Sequence, residues 1–117
     1  MGGEKLNLKK DDEILKINSP KDRVAGPYVV VHKDINKRWA IVALVWDTKP
    51  CLGIRWFHGK NGNPSSRNYP TWLIIPDDLT VSILNGLQIK VEFRKLIDKF
   101  LHEEIEGDVL KNSLIKT

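Results

Sequence analysis

Cysteine is nearly absent: Cys51 is the single thiol among 117 residues. That excludes an intramolecular disulfide and leaves too few thiolates for a zinc cluster. Long apolar runs are also missing, none approaching the roughly 20 residues that span a bilayer. The opening "MGGEKLNLKK" has no hydrophobic stretch behind its charges, so no cleaved signal peptide is expected. Gly2 would suit myristoylation, but Leu6 stands where that motif needs Ser or Thr. The chain shows no internal repeat and no low-complexity tract. These absences lead us to expect a cytoplasmic protein with no membrane partner and no cofactor.

Signatures of catalysis are equally sparse. His32, His58 and His102 lack ligand-like spacing, and no nucleophile motif accompanies His58. "PDD" at Pro76–Asp78 followed by "VEFRK" at Val91–Lys95 has a faint nuclease look. However, Arg94 sits where that pattern needs Lys, and Asp77 reads as a helix start. "GKNGNP" (Gly59–Pro64) has the glycine content of a phosphate cradle without its Gly-Lys-Ser/Thr ending, and reads as consecutive tight turns. No catalytic or metal-ligating residue is assigned.

What the chain does have is positive charge, unevenly spread. It carries 19 basic and 15 acidic side chains, net +4. Residues 1–19 are balanced, and 77–117 hold six basic against eight acidic. Residues 20–76 hold nine basic against three acidic, net +6, together with seven of the nine aromatics. Cations that meet phosphates, interleaved with rings that stack on unpaired bases, suit a groove for single-stranded nucleic acid. The competing explanation is that aromatics simply fill a small β core beside a solvated basic surface.

Residues 1–20 read as a charged arm in which "EILKI" (Glu13–Ile17) could add an edge strand. Residues 21–117 read as one α+β domain, with a sheet over about 28–76 and helices over about 77–106. "GPYVVVHK" begins a strand after Gly26-Pro27. "RWAIVALVWD" is apolar on both faces and therefore central, and "CLGIRWFH" follows the turn "DTKP". Short connections make these an antiparallel meander. After the polar Gly59–Pro70 loop, "TWLIIP" reads as a fourth strand. "PDDL" then opens a helix with Leu79, Ile83, Leu84 and Leu87 on one face. Apolar spacing from Ile89 through Ile105 predicts a second amphipathic helix running unbroken from "QIKVEF" and ending at Gly107, with a strand over "QIKVEF" as the alternative. The expected architecture is a curved antiparallel sheet of four to five strands packed on one or two C-terminal amphipathic helices.

In an extended "CLGIRWFH", Leu52, Ile54 and Trp56 point to one side while Cys51, Gly53, Arg55 and Phe57 point to the other. The first set faces the helices. The second places a guanidinium beside a ring on a face with little bulk, open to a polyanion. Alternatively, Arg55 pairs with Asp47 or Asp34 across the sheet.

"RWAIVALVW", "DTKP", "LGIRWF", the polar loop, "TWLIIP" and "DDLTVSILNGL" together resemble the single-stranded-DNA-binding transcriptional coactivator family known as positive cofactor four. The likeness runs over about Val29–Leu87. It implies a homodimer whose concave sheet face holds single-stranded DNA with little sequence preference, Arg55 matching the family's strand arginine and Phe57 its aromatic. Gly53 departs from the family's usual Asp, and the loop is longer.

The leading expectation is thus a non-catalytic module for single-stranded DNA or RNA. Lys37, Arg38, Arg55, Lys60 and Arg67 would meet phosphates, with Trp39, Phe57 and Tyr69 stacking on bases. On this reading Arg55→Ala weakens binding and leaves the fold intact. The alternatives are an interaction subunit using Phe93, Ile97 and Phe100 of the C-terminal helix and, behind it, a small hydrolase or nuclease.

Overall fold

Two tight hairpins organise the sheet of this protein. Its computed structural model describes residues 17, 21–58, 61–67 and 69–115. Strand β1 (Val24–Asp34) pairs antiparallel with β2 (Trp39–Trp46), which pairs with β3 (Lys49–Trp56). The β2–β3 turn is Asp47-Thr48, both with positive φ (50° and 70°), the two-residue geometry whose twist matches that of the flanking strands. β1 is longer and less regular. Its register slips between Ala25 and Val29, where Gly26-Pro27 interrupts the ladder and Tyr28 takes a φ of 55°.

β2 is buried from Ala40 through Leu44, on both faces. It lies between β1 and β3, as its uniformly apolar sequence predicts. The fourth strand is shorter than "TWLIIP" suggests. Only β6 (Leu73–Ile74) pairs with β3, completing the order β1-β2-β3-β6. The intervening loop contains its own two-stranded hairpin, β4 (Ser65–Ser66) and β5 (Tyr69–Pro70), where the sequence suggested only turns.

Three helices follow rather than one or two: α1 (Asp77–Gly86), α2 (Val91–Leu101) and α3 (Gly107–Ile115). The spacing that carried a helix through "QIKVEF" is misleading, because Leu87 and Lys90 are extended and α2 begins only at Val91. Gly107 does not end a helix but starts α3, where a Cβ would come within 3.0–3.2 Å of the Pro27 ring. Its missing side chain lets α3 seat against β1. The "EILKI" strand falls outside the described residues except at Ile17. Among the described residues no helix is long and apolar enough to cross a membrane.

Leu84, Ile97, Phe100 and Leu110 from the three helices bury against Val29, Val31, Ile41, Ala43 and Leu52 of the sheet. The opposite face carries a second buried cluster: Val24, Ala40, Val42, Leu44, Cys51, Phe57 and Trp72, with Ile17 packed on it. The sheet is therefore covered on both sides, by helices on one and by the 61–72 segment with Ile17 on the other.

Cys51 belongs to this second cluster. Burial first, then the charge of Asp77, pushes its thiol up to about 11. Since reactivity follows the thiolate, native Cys51 should react about 100-fold more slowly with a thiol probe than a free cysteine, and at the ordinary rate in denaturant. The folded value lies above the unfolded one. The associated stability is therefore complete below the unfolded pKa of 9.0 and is lost as pH rises from there toward 11. Comparing the pH 8 to pH 10 change in urea midpoint of the parent with that of Cys51→Ala isolates that loss from Arg55, which burial pulls down to about 10.

Candidate nucleic-acid interface

The alternation read along β3 is correct. Leu52 and Ile54 join the helix-side cluster, while Cys51 and Phe57 join the other. What lies over the second face differs from the expectation of an open, cationic surface. Arg55 is 0% exposed and Phe57 only 1%. Gly53 does not keep that face thin for a polyanion. A Cβ there would stand 2.9 Å from Trp72 Cε3 and 3.0 Å from Leu44 Cδ2. The absent side chain makes room for the Trp72 indole, whose Nε1 donates to the Ile17 carbonyl at 2.8 Å.

Nor does Arg55 pair with Asp47 or Asp34. Asp47 binds exposed Arg23 at 2.8 Å, and Asp34 accepts the Lys37 backbone N–H at 2.8 Å in the β1–β2 turn. Arg55 is instead held by main-chain oxygens of the following loop. Nη1 donates to the carbonyls of Pro64 (3.3 Å) and Thr71, and Nη2 donates to that of Asn61. The guanidinium also lies 5.9 Å from the Trp72 ring centroid. Its Nε has no partner, and among the described residues no carboxylate bonds it. Desolvation accordingly pulls its pKa down to about 10, which still leaves it charged at neutral pH.

This cation acts as a clamp. Pro64 and Thr71 flank the β4–β5 hairpin, so one Nη1 grips both of its roots. Trp56 and Asn63 exchange backbone hydrogen bonds at 2.7 and 3.0 Å just beside them. Gly62 (φ 64°) permits the turn: a Cβ there would collide with the Trp56 carbonyl oxygen and with Arg55 Nη2. A charged group buried without a counter-ion is tolerated because several oriented carbonyl dipoles replace its water.

The remaining predicted residues separate into groups. Arg38 (φ 58°) is half-buried, with its guanidinium carbon 5.1 Å from the Phe57 ring centroid, and its carbonyl accepts the Phe57 N–H at 2.8 Å. Lys37 precedes it, exposed. Arg67 (φ 50°) is exposed at the hairpin turn, and Tyr69, two residues later at the start of β5, is 67% exposed. Lys60 lies outside the described residues. Trp39 is not with them. It packs against the helix-side cluster, its ring 5.1 Å from that of His32. Lys37 and Arg38 just before β2, exposed His58 just after β3, and the clamped hairpin thus share one end of the sheet.

Sequence reasoning missed Trp72 as the lid over Gly53, and the loop carbonyls as the partners of Arg55. The first had a signal, a bulky aromatic in an apolar strand following a glycine in its neighbour. The second had none, since a backbone carbonyl leaves no mark in residue type. Comparison with protein-family models, curated proteins and solved structures returns no match for this chain.

Proposed function

We propose that the chain is a non-catalytic module that takes single-stranded nucleic acid, with little sequence preference, on the loop end of the molecule rather than on the sheet face. The observation that carries this reading is the β4–β5 hairpin, clamped at both roots by Arg55, with Arg67 and Tyr69 exposed on it. A cation two residues from an exposed ring supplies one phosphate contact and one stacking platform. Lys37 and Arg38 extend the positive rim, and the +6 balance of residues 20–76 adds long-range attraction. The resemblance to the coactivator family supports single strands as the ligand. The family's open face does not carry over, because Arg55 and Phe57 are interior here.

Fluorescence anisotropy with labelled single-stranded and duplex oligonucleotides, at low and moderate salt, tests the reading. Affinity should favour the single strand and fall steeply as salt rises. Tyr69→Ala should weaken it by roughly 5- to 100-fold through lost stacking, and Arg67→Ala should flatten the salt dependence. Binding that ignores salt, or that survives both substitutions, would reject this surface.

A further inference from the structure

Strand β6 ends the sheet on one side, and among the described residues no strand pairs with its outer edge. The ladder fixes which of its main-chain groups are spare. The Ile75 N–H donates to the Leu52 carbonyl at 2.9 Å, and Leu73 stands opposite Ile54. Main-chain groups alternate in direction along an antiparallel strand, so the N–H and C=O of Ile74, between those two, point away from β3. An outward donor and acceptor on a sheet edge are what a further strand pairs with.

Beside that edge lies an apolar groove of about 570 Å³. Trp39, Ile54 and Leu73 form its floor, and Leu79, Ile83 and Gly86 of α1 form its wall. Leu73 is 57% exposed and Leu79 52%. Ile75 joins the helix-side cluster and Ile74 packs on the opposite one, so Leu73 turns toward the groove. A strand added to β6 alternates in the same way, and every second side chain falls into the groove onto Leu73 and Leu79. Edge and groove therefore serve one occupant, an extended segment. A helix can fill the groove but has no main-chain groups to offer the edge.

Charge narrows the occupant further. Exposed Asp78 stands one turn before Ser82, which lines the groove, and exposed Lys90 follows the last lining residue, Leu87. They mark opposite ends of α1, whose 10 residues span about 15 Å, or roughly four to five residues of extended chain. The complementary segment carries a base and an acid at that separation, with apolar residues alternating between them.

We propose that the β6 edge and the adjoining groove take an extended segment of another protein as an additional strand. The proposal is independent of nucleic-acid binding and is tested without oligonucleotide. Selection from a random dodecapeptide display library, with the full chain as bait, should enrich peptides that are apolar at every second position and bracketed by a base and an acid. The most strongly selected peptide, labelled and followed by anisotropy, should lose affinity roughly tenfold or more with Leu73→Glu or Leu79→Glu. Both positions are exposed, so circular dichroism should be unchanged. Asp78→Lys should weaken binding several-fold, and replacing the peptide's base with an acid should restore it. The Ile74 amide supplies the sharpest readout: its hydrogen exchange should slow roughly tenfold or more on peptide binding, because strand pairing occupies that N–H. Selected peptides with i, i+3, i+4 apolar spacing, or an Ile74 amide that the bound peptide leaves unprotected, would make the occupant a helix and overturn the proposal. An Ile74 amide that becomes protected as the free chain is concentrated assigns the edge to a second copy and overturns it too. So does a selection that yields no peptide, or a peptide indifferent to Leu79→Glu.

Discussion

Replacing Arg55 with alanine should cost about 3–5 kcal/mol, a large share of the roughly 5–15 kcal/mol that holds a domain of this size together. The substitution removes the donors for the Asn61, Pro64 and Thr71 carbonyls at once and opens a void under Trp72. Each stranded carbonyl costs about 1–3 kcal/mol if it stays dry. Part of that is regained because the desolvated charge disappears. Urea unfolding followed by circular dichroism gives the total. Limited proteolysis separates global loss from release of the 61–72 segment alone, which should become cleavable well below the unfolding midpoint. Arg55→Lys should recover little, because one ammonium cannot span carbonyls gripped from two separate nitrogens. A variant as stable as the parent would contradict the clamp, and would restore the expectation that position 55 matters only for ligand.

Trp72→Ala should be comparably severe, at about 3–5 kcal/mol for a buried aromatic. The indole is 5% exposed and lies over Gly53, while its Nε1 donates to the Ile17 carbonyl, so its removal opens a void in the second core and strands that carbonyl. The more telling result is coupling. Gly53→Val alone should destabilise by about 1–3 kcal/mol through overpacking, because the new side chain meets Trp72 and Leu44 at about van der Waals overlap. In the Trp72→Ala background the same valine fills space that the indole vacated. It should then be neutral or stabilising, giving a non-additivity of about 1–3 kcal/mol in a double-mutant cycle. Simple additivity would mean that the two residues do not touch.

These two sites also mark where the sequence stops being informative. β2 was legible because five consecutive buried residues leave no polar face to misplace. The parity of β3 was legible because side chains in an extended strand must alternate. Parity assigns Arg55 and Phe57 to a shared face, but it cannot say what covers that face. The cover comes from a segment rich in Gly, Asn and Ser, whose side chains read as solvated while its main chain faces inward. Hydrophobic spacing likewise ran on through Ile89 because the apolar residues of the non-helical stretch 87–90 happen to keep the helical period. The start of α3 was lost because a glycine after a helical run is more often a stop than a beginning. Of the eight residues proposed for ligand contact, Lys37, Arg67 and Tyr69 are exposed, Arg38 and Trp39 are half-buried, Arg55 and Phe57 are interior, and Lys60 falls outside the described residues.

The clamp at Arg55 recognises oxygens that every amino acid carries. Nothing in it depends on which side chains occupy positions 61, 64 and 71, only on the path their backbone takes. Residues 65–70 can therefore be exchanged as a cassette, since their roots fit the same socket whatever the tip displays. A library varied at the hairpin turn would sample new ligands on an unchanged scaffold.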